Sequence, residues 1–261
     1  MIRLAALYGV GDAYLVCSLA RAFEKHHRLQ PRVVLKSSQA AVAKLFDLEP
    51  ELNDLLIARA ETDQQLHRAY ENLIHDGALL YVHPHFVRSG ARLDQLTVKP
   101  RVSQADMYRA LLRLPPDAPM ERPQWLPTPN TADVLLITES RSWPNLPDQF
   151  WVALELRLRQ AGRRPTSNHP SRPLQELFDL CAGATWVIGP QCGVMSALCE
   201  SQLPCRKTLA IRELSPQCPY LFGLTQTMPY GHVSTFAGND SAVDHIIVGT
   251  DWSAAIEAIV K

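Results

Sequence analysis

Three short segments combine glycine with polar or charged residues in places where a ligand could be handled. The first is Gly9-Val10-Gly11-Asp12, which ends an apolar run from Arg3 to Tyr8 and precedes apolar residues at helical spacing from Tyr14 to Phe23. Glycines between a strand and a helix let a ligand approach the backbone, and a helix start favours anions. The same residues also fit an ordinary turn in which Asp12 is the helix N-cap. They are not the dinucleotide fingerprint: the third glycine of GxGxxG would fall on Tyr14, and no acidic residue follows the second strand to hold a ribose. The second segment, Ser140-Arg141-Ser142-Trp143-Pro144, follows the apolar run Asp133 to Thr138. A cation at the carboxyl end of a parallel strand is placed to bind a diphosphate, and the neighbouring aromatic could cover a base or sugar. An exposed loop arginine beside a packed tryptophan is the plainer alternative. The third segment, Gly189-Pro190-Gln191-Cys192-Gly193-Val194, again sets backbone amides at a helix start after a strand.

Other residues with chemical potential are less well placed. In His83-Pro84-His85, His85 could donate to a phosphate or a hydroxyl, whereas two histidines flanking a proline cannot easily chelate one ion. His26 and His27 close a helix, where the dipole alone accounts for them. Glu139 is read as an ion-pair partner of a nearby cation, and Trp252 as a docking contact of the last helix. The six cysteines, at 17, 181, 192, 199, 205 and 218, form no CxxC pair, and their later spacings of 11, 7, 6 and 13 fit no common zinc pattern. They are expected to be free, mostly buried thiols in a reducing cytoplasm.

These segments must be carried by alternating strands and helices. Pro31 to Lys36 and Ala78 to His83 read as strands and Gln39 to Leu48 as a helix. Further on, Asp133 to Thr138 reads as strand, Asp148 to Ala161 as a helix closed by Gly162, and Leu174 to Cys181 as another helix. Thr185 to Ile188 reads as strand, Gly193 to Glu200 as helix, Lys207 to Ile211 as strand, and 252–260 as a final helix. Between the halves, six prolines fall within the fifteen residues Pro115 to Pro129, which cannot be helix interior or central strand. The expected division is therefore a domain over 1–114, a proline-rich linker over 115–130 and a domain over 131–261. Both domains are expected to be α/β with parallel sheets, facing each other across a cleft.

Composition narrows the function. The 261 residues carry 26 Lys+Arg against 26 Asp+Glu, a formal net charge of zero that argues against a general nucleic-acid binder. An apolar fraction of 46% with 20% charged residues supports a packed core. No apolar run reaches the roughly 18–20 residues of a membrane span, and the apolar stretch from Ile2 to Val10 is broken by Arg3, so no signal peptide is read and a cytoplasmic protein is expected.

Taken in order, the segments resemble glycosyltransferase family 9, which includes the lipopolysaccharide heptosyltransferases. Gly11-Asp12-Ala13-Tyr14-Leu15, followed by Leu19 and Phe23, is similar to that family's opening Gly-Asp turn and long helix. Asp106 to Leu112 is similar to the helix before its interdomain linker, and Arg141-Ser142-Trp143-Pro144 with Phe150-Trp151 to its Lys-x-Trp-Pro and following Trp. Ile188 to Ser196, running on to Pro204, keeps the length of the family's Gly-x-Asp-Ser/Thr-Gly-x-x-His…Pro element, with Gln191, Cys192 and Ser196 at the Asp, Ser/Thr and His positions. The resemblance covers about residues 2–211, and nothing after Glu213 aligns.

The resemblance implies a GT-B-like fold of two Rossmann-like domains, with the acceptor on the N-terminal one and a nucleotide-sugar donor on the C-terminal one. It implies that Asp12 is the general base of an inverting transfer, with Gly9, Gly11, Tyr14 and His85 on the acceptor or cleft side. Ser140, Arg141, Trp143, Gly189, Gln191, Cys192, Gly193 and Val194 would hold the donor, Arg141 replacing a diphosphate-binding lysine. It implies no cofactor and no metal, in keeping with the absence of a DxD motif. The acceptor would be a saccharide or glycolipid, in a context such as bacterial surface polysaccharide synthesis. A lipid-linked acceptor leaves room for peripheral membrane association, although no strong basic cluster marks it. Two alternatives stay open: a nucleotide-sugar epimerase of the same fold, and a degenerate, non-catalytic nucleotide- or sugar-binding protein.

Overall fold

A computed structural model describes residues 2–6, 9–54, 79–81, 104–126, 128–129, 131–140, 145–169, 171–201, 203–213 and 243–261. The chain forms two compact units, Met1–Gln124 and Trp125–Lys261.

The first unit holds a parallel sheet in the order β3-β2-β1-β4. Its strands are β1 (Ile2–Ala5), β2 (Pro31–Leu35), β3 (Glu51–Leu52) and β4 (Leu79–Tyr81). β1 pairs with β2 from Ile2↔Pro31 to Ala5↔Val34, and with β4 from Arg3↔Leu79 to Ala5↔Tyr81. Leu4, Ala5, Val33, Val34 and Leu35 are all buried, which is why these strands read as continuous apolar runs.

Helix α1 (Val10–His27) connects β1 to β2 and buries nearly every side chain from Ala13 to Phe23. It ends at Arg28 in the left-handed region, φ 56°, with Lys25, His26 and His27 in its last turn, where the dipole favours cations. His27 does more than the dipole requires, since its Nε2 donates to the Leu112 carbonyl at 2.9 Å. The expected long helix from Gln39 is instead a 3-10 turn, Ser37–Gln39, and a short α2 (Ala40–Lys44). Asp47, at φ 53°, then turns the chain toward β3. The expected strand from Ala78 is observed at Leu79–Tyr81, the only part of it among the described residues.

α3 (Gln104–Leu111) closes with the Leu114 amide donating to the Arg109 carbonyl at 2.7 Å and Arg113 at φ 53°. The first part of the proline-rich segment then lies against this unit. The Glu121 amide donates to Ser18 O at 2.8 Å, and the Gln124 amide to Leu45 O at 2.6 Å.

The second unit is a five-stranded parallel sheet in the order β6-β5-β7-β8-β9. Its strands are β5 (Ala132–Leu136), β6 (Pro165–Ser167), β7 (Ala184–Gly189), β8 (Arg206–Arg212) and β9 (Asp244–Val248). The helices are α4 (Asp148–Gln160), α5 (Leu174–Gly183), α6 (Gly193–Cys199) and α7 (Ser253–Val260). Val134, Leu136, Trp186 and Ile188 pack with Phe150, Trp151, Leu154 and Leu158 of α4 and Ile256 and Ile259 of α7. The alternate residues Leu135 and Val187 are equally buried, so the sheet is covered on both faces. Trp252 packs against this core beside α7, as a docking contact would. β6 and β9 are strands that the sequence reading did not contain. No helix among the described residues is long and apolar enough to cross a membrane.

Candidate active site

In the first unit, the chain leaves β1 and enters α1 with Gly9 as the N-cap, in extended backbone at φ −128°. Val10, Gly11 and Asp12 are therefore the first turn of the helix and not a loop, and the expectation of Asp12 as the N-cap is corrected. Asp12 stands at the third helical position and reaches back, its Oδ2 accepting the Gly9 amide at 2.9 Å. Its other oxygen, Oδ1, accepts a hydrogen bond from the hydroxyl of Tyr108 on α3.

Gly9 is held on its second side as well. Gln39, 3% exposed, donates from Nε2 to the Gly9 carbonyl at 2.9 Å and accepts the Lys36 amide on Oε1 at 3.0 Å. Gly9 and Tyr108 thus hold one half-buried carboxylate at the carboxyl end of β1, and Gln39 holds Gly9. Gly9 and Gly11 lie beside it, also half-buried.

Tyr14, expected on the acceptor side, is 1% exposed and packs edge-on against Phe46 with ring centroids 5.2 Å apart. Two residues along a helix turn the side chain by about 200°, so Asp12 and Tyr14 leave α1 on opposite faces. The ring belongs to the core of this unit. His85 lies outside the described residues.

In the second unit, the loops after β5 and β7 meet. Ser140, 8% exposed, donates from Oγ to the Gln191 carbonyl at 2.8 Å, and its amide donates to Asn145 Oδ1 at 2.6 Å. The Asn145 carbonyl accepts from the Arg212 guanidinium at 2.9 Å. Both ends of the Arg141 segment are therefore fixed, whereas Arg141 and Trp143 themselves lie outside the described residues.

The Gly189–Val194 turn has clear structural duties. A Cβ on Gly189 would stand 2.8 Å from Met195 Cγ and 3.1 Å from Ile137 Cβ, so glycine here lets α6 pack against the sheet. Cys192 is the N-cap of α6, its sulfur accepting the Met195 amide at 3.5 Å. Burial pushes its thiol up to about 11, against the pull of the Met195 and Val194 amides. Gly193 and Val194 form the first turn of α6, Gln191 is 6% exposed, and Ser196 is buried within the helix. Cys17, Cys181 and Cys205 are also free, and burial raises all three thiols. Among the described residues no group of three or more His, Cys, Asp or Glu could hold a metal ion.

Tyr108 and Gln39 are the functional candidates that sequence reasoning missed. Tyr108 lies 96 positions from Asp12, and no spacing rule connects them.

No protein-family model matches the chain, and no curated protein matches it. Solved structures do. The E. coli heptosyltransferase WaaC with ADP is similar at a TM-score of 0.54 and 12% identity, over 94% of this chain and 93% of that one. A glycosyltransferase family 9 structure from Veillonella parvula gives 0.54 at 12% identity, over 99% and 90%. The iron-containing dodecameric glycosyltransferase TibC from enterotoxigenic E. coli gives 0.50 at 15% identity, over 81% of this chain and 57% of that one. This chain therefore spans less than two thirds of TibC. At such identities the likeness is one of fold, the mixed α/β fold with parallel sheets that these GT-B-type glycosyltransferases share.

Proposed function

We propose that the chain is a glycosyltransferase that moves a sugar from a nucleotide-sugar donor to a hydroxyl of a saccharide or glycolipid acceptor, with inversion and without a metal. Asp12 carries the reading: a half-buried carboxylate held by the Gly9 amide and the Tyr108 hydroxyl at the end of a parallel strand, in a heptosyltransferase-type fold.

In this reaction the acceptor O–H passes its proton to Asp12 as the oxygen attacks the anomeric carbon. The bond from that carbon to the donor phosphate breaks, and the nucleoside diphosphate leaves with the bonding electrons. Arg141 supplies the positive charge that the leaving group needs, with Ser140, Trp143 and the 189–194 turn completing the donor side. The GT-B reading has the two units act on one pair of substrates, 1–114 on the acceptor, 131–261 on the donor and 115–130 as the link. WaaC is described with ADP, which makes an ADP-linked sugar the first donor to try.

A second reading, a binding protein without turnover, is favoured by Cys192 serving as a helix cap and Ser196 lying in the core. Thermal shifts with ADP, UDP, GDP, TDP and CMP, without metal, separate the two. A nucleotide at 100 times its Kd adds about 2.7 kcal/mol. One nucleotide is expected to stabilise the wild type and to lose much of that effect in Arg141→Ala. With a bound nucleotide but no transfer to any acceptor, the binding-protein reading takes over, and product formed from donor alone would indicate an epimerase. No shift at millimolar nucleotide would refute the donor site.

A further inference from the structure

We infer that Tyr108 is the positioning residue of Asp12, holding its carboxylate in one orientation and in its ionised form. The inference rests on the reading of Asp12 as the base. A carboxylate in the first turn of a helix has two free torsions, and one hydrogen bond to its own backbone leaves its plane able to swing. Here the two oxygens are held from different elements, Oδ2 by Gly9 and Oδ1 by Tyr108 on α3. Two anchors on different elements fix the plane of the carboxylate.

The phenol is suited to the task. It is 1% exposed, so its hydroxyl does not trade Asp12 for water. A phenol hydroxyl donates to a carboxylate, and such a bond favours the charged form of its partner.

α3 is itself anchored so that the hydroxyl stays in place. His27 Nε2 donates to the Leu112 carbonyl at 2.9 Å, and Arg109 Nε to the Ala118 carbonyl at 2.8 Å. Gln39 holds Gly9 from the other side, so the donor to Oδ2 is anchored as well. Among the described residues, the charged groups on the segments packed against α1 include Glu121 of the proline-rich segment (paired with Arg21), Arg32 on β2, Lys36 after it, Lys44 on α2, and Asp106 and Arg109 on α3. The last two pair with each other at 2.9 Å. None of them is altered by the variants below.

The test is carboxyl and phenol NMR on the full chain labelled with 13C-aspartate and 13C-tyrosine, Asp12 and Tyr108 being assigned by their loss in Asp12→Asn and Tyr108→Phe. In Tyr108→Phe the Asp12 titration midpoint is expected to move to higher pH by about one unit, because a hydrogen bond to the ionised form is gone. Reciprocally, in Asp12→Asn the Tyr108 midpoint moves to lower pH, because a phenolate no longer forms beside a carboxylate. Unchanged midpoints in both variants overturn the inference, and if Tyr108→Phe does not fold, Tyr108 is assigned by through-bond NMR and the Asp12→Asn measurement decides alone. Coupled midpoints in a protein that transfers no sugar leave the pair standing and sink the transferase. Transfer without coupling does the reverse. Where transfer is measurable, Tyr108→Phe lowers kcat with the donor KM unchanged and moves the acid limb of the rate profile with the Asp12 midpoint.

Discussion

Two strand-to-helix turns, Gly9–Asp12 after β1 and Gly189–Val194 after β7, are built from similar residues and used differently. At Gly9–Asp12, the amide of Gly9, the hydroxyl of Tyr108 and, through the Gly9 carbonyl, the amide of Gln39 fix a carboxylate that stays half-buried. At Gly189–Val194, the polar atoms tie the loops to one another. Ser140 holds the Gln191 carbonyl, Cys192 caps α6, and the space beside Gly189 is filled by Met195. A glycine-containing turn after a parallel strand is therefore not evidence of chemistry by itself. What separates the two is whether the polar groups converge on a half-buried carboxylate or cap a helix and tie loops together.

That contrast can be broken by substitution. The largest stability effect is expected from Gly189→Ala, whose new Cβ meets both Met195 and Ile137. Overpacking of this kind costs about 1–3 kcal/mol in urea unfolding. Adding Met195→Ala should recover part of the loss, because the flexible Met195 side chain is the nearer neighbour; a neutral Gly189→Ala would mean that this glycine is not needed for packing. Asp12→Asn, by contrast, is expected to cost only about 1 kcal/mol, the worth of a helix-start hydrogen bond. A protein that fails to fold with this change would make Asp12 a structural residue and remove the contrast.

Cys192 sharpens the comparison at a smaller scale. Cys192→Ser should keep or slightly raise Tm, since a hydroxyl caps a helix better than a thiol, while Cys192→Ala should lower it by up to about 1 kcal/mol in equivalent stability. With its thiol near 11, native Cys192 should react with iodoacetamide at pH 7.5 about a hundredfold more slowly than free cysteine, read by peptide mass mapping. Prompt labelling would show that the cap is open.

The smallest effect is on acid stability. The Arg164 amide, at 2.9 Å, is the main reason that the Asp133 carboxyl is held below its usual range, with the Arg163 guanidinium at 3.2 Å adding to it against the cost of burial. A depressed folded-state value means that Asp133 stabilises the protein above its unfolded value of about 3.9 and that this is lost as the pH falls through the folded value. Asp133→Asn should therefore lower stability at neutral pH and flatten its decline toward acid. An unchanged profile would remove Asp133 from the stability of the second unit.

The apolar strands were legible because burial on both faces leaves a continuous run, as in Leu4–Ala6 and Val134–Ile137. β6 was not, because Pro165–Ser167 has no apolar run and is an edge strand that is partly exposed. β9 was missed for a related reason: at the opposite edge, Asp244–Val248 is only partly buried and shows neither a clean alternation nor a fully apolar run. The resemblance sets Tyr14 with Asp12 on the acceptor side, whereas the helix, already begun at Val10, turns Tyr14 into the core. The choice of Asp12 was within reach of the sequence. Its partner was not, since a hydrogen bond across 96 residues is set by the packing of α3 on α1 and leaves no local pattern.

The measurement that tests the central proposal most directly is nucleoside diphosphate release from an ADP-linked sugar offered with a panel of saccharide acceptors, comparing wild type with Asp12→Asn. The wild type is expected to release diphosphate only when an acceptor is present. Asp12→Asn should bind the nucleotide as tightly in a thermal-shift assay yet lose rate by a factor of about 100 or more, the worth of a general base. Equal rates in the two proteins would contradict the assignment of Asp12 as the base and leave the fold as all that this chain shares with the heptosyltransferases.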